Sequence, residues 1–188
     1  MFFIFLIFGA IIIFLLATTI YAAIIAAPFI ATPKEHIRKA FQICNLKPGE
    51  KFYDLGSGNG RALIMASLEF GAQAQGLELS YPLYIVSQIN ILLHGLSKQT
   101  KVRWSNFYNE DLSQADVIFC WLTPKAFQKL NQKFNQELKT GARVITFSSA
   151  LGFWQPEQEI ELTLEGAKLF GKSLTRPSRI KLFLYFKR

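Results

Sequence analysis

The stretch "KFYDLGSGNGRALIMAS", Lys51 to Ser67, decides the fold. A short apolar run of strand character ends at Asp54 and Leu55. Three glycines follow within five positions, Gly56, Gly58 and Gly60, and an amphipathic run opens at Arg61. Glycine admits unusual backbone angles and carries no side chain to block a ligand. A glycine turn between strand and helix is therefore the pattern of a nucleotide-cofactor site at the carboxyl ends of parallel strands.

The surrounding sequence repeats the alternation. "KEHIRKAFQIC" places Ile37, Ala40, Phe41 and Cys44 on one helical face and stops at the Lys47-Pro48-Gly49 turn. "RALIMASLEF" reads as a helix with Leu63, Ile64 and Leu68 at inward spacing. "AQAQGLELS" reads as a strand ending near Glu78, "YPLYIVSQINILLHG" as a helix stopped by Gly95, and "TKVRWSNF" as a third strand. "ADVIFCWL" is apolar throughout, as a strand covered on both faces should be. Thr123 and Pro124 form an N-cap and first-turn proline for a helix that turns Phe127, Leu130, Phe134 and Leu138 inward and carries Lys125, Lys129 and Lys133 on another face. "ARVITFSS" is a fifth strand, and "EIELTLEGAKLF" with "SRIKLFLYFKR" an antiparallel pair. The expectation is an α/β domain with a mostly parallel sheet and helices on both faces.

Ahead of it, no side chain from Met1 to Pro33 is charged. Phe2 to Ala27 as a helix would reach about 39 Å, enough for a hydrocarbon core of roughly 30 Å. A cleaved signal peptide competes, since "YAAIIAAP" offers small residues, but the start is not basic and the apolar run exceeds a signal core. No face of the segment reads as polar, which disfavours a buried soluble helix. We read residues 1–27 as a transmembrane anchor, 28–50 as a connector and helix over the cofactor site, and 51–188 as the catalytic domain. Lys34, Arg38 and Lys39 after the span place that domain in the cytoplasm of a single-pass membrane protein.

The formal net charge is +8 and uneven. "EQEIELTLE" is acidic, whereas Lys168, Lys172, Arg176, Arg179, Lys181, Lys187 and Arg188 follow with no acid. Attraction to anionic head groups is preferred over nucleic-acid binding. Cys44 and Cys120 are expected to be reduced core thiols, and with two histidines no metal site is expected.

Three cofactor types compete for the glycine turn. A P-loop needs Gly-Lys-Ser/Thr, and Gly60-Arg61-Ala62 does not supply it. A dinucleotide fingerprint would need glycine at position 61. What remains is acid-x-G-x-G-x-G from Asp54, with Glu78 at the end of the next strand. Glu78 can accept from both hydroxyls of a ribose, and Asp54 can answer a cationic amino-acid tail. A cofactor with those parts and no phosphates is S-adenosylmethionine.

"YDLGSGNGR", "GLELS", "SNF", "DVIFCWLTP" and "ELKTGARVITF…FWQP" resemble, in order, the motifs of class I (seven-strand) methyltransferases. Among these they are most similar to the protein-lysine methyltransferases of the adenine-nucleotide-translocase type and their archaeal and bacterial relatives. The resemblance runs from about Pro28 to Pro156 and implies a Rossmann-like seven-strand sheet with an antiparallel carboxyl-terminal strand. It also implies that Asp54, Gly56, Gly58, Gly60 and Glu78 bind the cofactor, that Asn106 and Phe107 flank its adenine, and that Thr32 and Pro33 close over it. Leu122, Thr123, Pro124 and Trp154 would face the substrate. Asn59 and Asn106 depart from the family, which often has acids there.

Trp121, Phe153 and Trp154 are candidate walls for a lysine channel. "WLTPK" is not the Asn/Asp-Pro-Pro-aromatic motif of many adenine and glutamine methyltransferases, and "FCW" lacks the Pro-Cys of cytosine-5 enzymes. The expected function is N-methylation of lysine in a membrane-associated protein. A lipid or small-molecule acceptor, RNA, and a non-catalytic scaffold are the alternatives.

Overall fold

The computed structural model describes residues 1–164, 168–169, 172–173 and 178–188. Most of its elements fall close to the expected boundaries, except that Lys168–Leu169, expected to continue the strand from Glu159, pairs instead with Ile30–Ala31. A helix α1 (Phe2–Ile25) leads to strand β1 (Ile30–Ala31), helix α2 (Lys34–Ile43), strand β2 (Lys51–Leu55) and helix α3 (Arg61–Phe70). Strand β3 (Gln73–Glu78), helix α4 (Tyr81–Leu93), strand β4 (Thr100–Trp104), strand β5 (Val117–Cys120), helix α5 (Pro124–Glu137) and strand β6 (Arg143–Phe147) follow. The chain closes with β7 (Gln158–Leu164), the two-residue strands β8 (Lys168–Leu169) and β9 (Lys172–Ser173), and β10 (Ser178–Phe186).

Seven strands form one sheet in the order β4-β3-β2-β5-β6-β10-β7. The first five run parallel, and β10 is antiparallel to both β6 and β7. All of β5 and all of β6 are buried because helices cover both faces. On one face Phe41 of α2 sits edge-on to Phe52, Phe70 and Phe119, with centroids 4.9, 5.4 and 5.6 Å away. On the other, Phe127, Leu130 and Phe134 of α5 pack over Ile118 and Tyr185. Helix α5 starts where its cap requires, with the Ala126 N–H donating to Thr123 Oγ1 at 3.3 Å.

Three further expectations need correction. Leu68 points outward, because α3 buries Ala62, Leu63, Met65, Ala66 and Ser67 instead. Lys133 is not on a solvated stripe, for its side chain is largely covered and pairs with Glu137 at 2.7 Å. The basic end is partly neutralised within the sheet: Arg179, Lys181 and Arg188 approach Glu161, Glu159 and Glu157 across the β7–β10 pair. These charges therefore answer their own acidic neighbour strand. Arg176 lies outside the described residues.

By length and composition α1 can cross a membrane, yet its second half is not featureless. Thr19 Oγ1 lies 2.9 Å from Ser80 Oγ, and the Tyr81 N–H donates to Thr18 Oγ1 at 3.3 Å. Phe14 meets Tyr81 and Trp104 edge-on, at 5.5 and 5.9 Å. A helix end leaves carbonyls without partners, and here the domain supplies them. Tyr108 donates its hydroxyl to the Ile25 carbonyl at 3.0 Å, while Thr123 donates both its hydroxyl (2.8 Å) and its N–H (3.2 Å) to Ala26.

Truncating Phe41 should cost about 3–5 kcal/mol, since a fully buried aromatic leaves a cavity that its neighbours refill only partly. Leu68→Ala, on the exposed side of α3, should stay within about 0.5 kcal/mol. Denaturant titration of the full chain in one detergent checks both.

Candidate cofactor and active site

Two adjacent parallel strands end on carboxylates, Asp54 on β2 and Glu78 on β3, and both are buried. They line one cavity of about 250 Å³, a little below the usual small-molecule range of ~300–1,000 Å³. The Gly58 N–H donates to Glu78 Oε2 and the Ser80 N–H to Oε1, each at 2.7 Å. Burial raises the Glu78 carboxyl above its ordinary value, and these N–H groups pull it back. Asp54 has no such help: among the described residues no group hydrogen-bonds its carboxylate. Burial, and secondly the charge of Glu78, push its pKa well up.

The glycine turn is shaped by close packing on both sides. Gly60 has φ +78°, and a Cβ there would fall 2.3 Å from Ser87 Oγ. Gly58 has φ +56°, and its Cβ would meet the Phe29 ring at 2.4 Å. Only glycine fits either position. Arg61, the first residue of α3, donates from Nη1 to the Thr32 carbonyl at 2.9 Å and so ties the connector to the turn.

The sequence-expected residues divide into two groups. Thr32, Asp54, Gly56, Glu78, Asn106 and Phe107 all line the cavity, and Gly58 and Gly60 complete the turn beside it. The Asn106 side-chain oxygen accepts from the Tyr108 N–H at 3.1 Å, so its amide nitrogen is the group left for a ligand. Thr123, Pro124 and Trp154 are not among the lining residues. Thr123 is occupied with capping α5 and holding Ala26. Trp154 donates from Nε1 to Asn135 at 3.0 Å, with the Lys187 ammonium 5.6 Å over its ring. Of the expected channel aromatics, Trp121 reaches the cavity, stacked on Phe147 at 5.6 Å, and Phe153 packs with Trp154 instead. Cys120 is core, its thiol pushed up by burial.

The sequence reading missed the wall opposite the carboxylates. Thr19, Ala22 and Ala23 of α1 line the cavity, as do Ala26 just past its end and Phe29 of the connector. The available signal was the pair Thr18-Thr19 followed by alanines at the end of an otherwise large-residue run.

A family model described as "ANTKMT methyltransferase domain" matches residues 54–158, more than half of the chain. The chain belongs to that family. A protein-lysine N-methyltransferase of Saccharolobus islandicus is 29% identical over 136 residues, covering 72% of this chain and 84% of the relative. The mouse adenine nucleotide translocase lysine N-methyltransferase is 28% identical over 130 residues, 69% of this chain but only 56% of its own length. Among solved structures, an RNA methyltransferase from Salinibacter ruber with bound S-adenosyl-L-homocysteine superposes with a TM-score of 0.71 at 24% identity. It covers 83% of this chain and 92% of its own, and it shows the shared fold.

The methyl donor of this methyltransferase domain is S-adenosylmethionine, and the residues fit it. Asp54 is a buried acid lacking a partner, as a site for a cationic amino-acid tail requires. Each Glu78 oxygen keeps acceptor capacity beyond its one backbone N–H. The side-chain-free surface of Gly56 leaves backbone open to approach.

Glu78→Ala should weaken S-adenosylhomocysteine binding about 10- to 100-fold, the loss of a charged hydrogen bond worth ~1.5–3 kcal/mol. Titration calorimetry reads this. Asp54→Asn should separate stability from binding. Its folded pKa lies above the unfolded value, so the cost to the empty fold is full above the folded pKa and fades as the pH falls from there to the unfolded value. The amide variant should therefore melt higher without ligand, by about 0.5–2 kcal/mol, while losing affinity for the cofactor.

Proposed function

We propose that this chain N-methylates lysine side chains of a protein held in or at a membrane, with α1 as its anchor and the catalytic domain on the cytoplasmic side. The observation that carries the reading is the shared wall. In a protein-lysine methyltransferase family, the cavity that would hold the donor is closed on one side by the last turns of an apolar helix long enough to enter a bilayer.

In this reading Asp54 pairs with the ammonium of the cofactor's amino-acid tail, and Glu78 accepts from its ribose. Asn106 and Phe107 flank its adenine, Gly56 gives it room, and Gly58 and Gly60 shape the turn beside it. Bound there, S-adenosylmethionine supplies an electrophilic methyl group on a sulfonium. Transfer breaks that carbon–sulfur bond and forms a carbon–nitrogen bond at the acceptor amine. Such a displacement depends on in-line placement, which can supply several kcal/mol (about 7 or more in favourable cases). The acceptor must first release its proton to solvent. Phe119, Trp121 and Leu122 supply an apolar surface that disfavours the ammonium. Thr123 acts by position, holding Ala26 and therefore the α1 wall in place.

The test is methyl-tritium transfer from S-adenosylmethionine into host membrane fractions by the full chain and by Glu78→Ala. Products are sorted into protein, lipid and RNA, and protein bands are mapped by mass spectrometry. Label on lysine of a membrane protein, lost in the variant, is the expected outcome. Label in the chloroform extract or in RNA would assign a different acceptor, and absence of label would leave a cofactor-binding scaffold.

A further inference from the structure

Helix α4 holds no charged residue from Tyr81 to Leu93. One side of it faces the core, with Ser87 and Ile91 buried. The opposite side is a stripe of Ile85, Val86, Ile89, Leu92 and Leu93, and the last two are 68% and 76% exposed. At 100° per residue these five positions span a sector of about 120°, the width of a face that ordinarily meets another apolar surface. Nothing else in the domain's described residues covers it.

The start of α4 is where α1 lands. Ser80 and Tyr81 bond to Thr19 and Thr18, and Phe14 packs on Tyr81. Contacts to the domain thus begin at Phe14 and continue to Ala26, about 18 Å of α1 at 1.5 Å per residue. A hydrocarbon core of roughly 30 Å takes about 20 residues of helix. Within Phe2–Ile25, a stretch of that length necessarily includes the turns that touch α4. If α1 inserts only by the turns ahead of Phe14, the first domain residues it meets are Tyr81 and Trp104, aromatic rings of the kind favoured at a bilayer surface. Leu93 lies about 18 Å along α4 from Tyr81. In both cases the bilayer borders the start of α4, one turn from the exposed stripe.

We infer that the exposed stripe of α4 is a second membrane-contacting surface, which lays the catalytic domain against the bilayer beside α1 with lipid as the occupant of that face. This rests on the anchored reading above and deepens it. The domain does not swing on a flexible stalk. Two apolar elements joined at Ser80 and Tyr81 fix its tilt, and the cavity wall made by α1 stays against the membrane.

The test uses the full chain in vesicles of phosphatidylcholine and phosphatidylglycerol. Single cysteines at Ile12→Cys (α1), Leu93→Cys (α4) and Gln132→Cys (exposed on α5) carry an environment-sensitive fluorophore. Cys44 and Cys120 are buried, and burial holds the Cys44 thiol up at about 12, so labelling is selective. Expected at positions 12 and 93 are blue-shifted emission, several-fold stronger quenching by doxyl-labelled lipid than at 132, and several-fold weaker quenching by iodide. Lipid quenching at 12 but not at 93 overturns this inference and leaves the anchor standing. Protection of 93 from both quenchers would assign the stripe to a protein partner or a second copy, which also overturns it. Absence of lipid quenching at 12 overturns the anchored reading itself.

Discussion

The two N–H groups that hold the Glu78 carboxylate determine where the rest of the site can lie. The Gly58 N–H draws the glycine turn over the end of β3, and the Ser80 N–H fixes the first turn of α4 on the other side of the same carboxylate. Ser80 and its neighbour Tyr81 are also the residues that seat Thr19 and Thr18 of α1. One acid thus links the turn, a core helix and the apolar segment, and the cavity is the space these parts enclose. A backbone-bonded carboxylate suits this duty, because charge-assisted hydrogen bonds are shorter and stronger than neutral ones.

Asp54 has the opposite character. It sits one strand away, buried and without a partner, beside a second acid that raises its pKa further. An empty fold that keeps such a group gives up stability that a neutral residue would retain, a pattern found where binding matters more than rigidity. The two acids therefore differ in character: Glu78 ties the site together, and Asp54 is the acid that the proposed function pairs with a cation.

The fold was legible in the sequence because its signals are local. Alternating short apolar runs and amphipathic stretches gave the strands and helices, and Thr123-Pro124 marked the start of α5. The carboxylates and glycines could be placed because each lies at a strand end, where topology converts chain position into spatial position. What sequence did not convey depends on pairings between distant segments. Lys181 reads as one of a run of unpaired basic residues until β7 is set beside β10, where it meets Glu159. Leu68 fits a helical period, yet α2 packs across a neighbouring face of α3. Trp154 and Pro124 follow the family pattern but stand away from the lining, since packing on Asn135 and the cap of α5 occupy them. The largest omission was α1: uniform hydropathy concealed that its threonine-alanine end forms a wall of the cavity, which two hydroxyls and several small side chains bring about.

Helix α1 forms a wall of the cavity and is more than a tether. Ala23 and Ile24 are adjacent on that helix, Ala23 turned to the cavity and Ile24 to the outside with 71% exposure. The most direct measurement is S-adenosylhomocysteine affinity by calorimetry for the full chain carrying Ala23→Phe or Ile24→Phe, in the same detergent. Ala23→Phe should weaken binding at least about tenfold, ~1.4 kcal/mol, with Ile24→Phe close to wild type. Equal affinities for all three proteins would contradict the claim and return α1 to the role of a simple anchor.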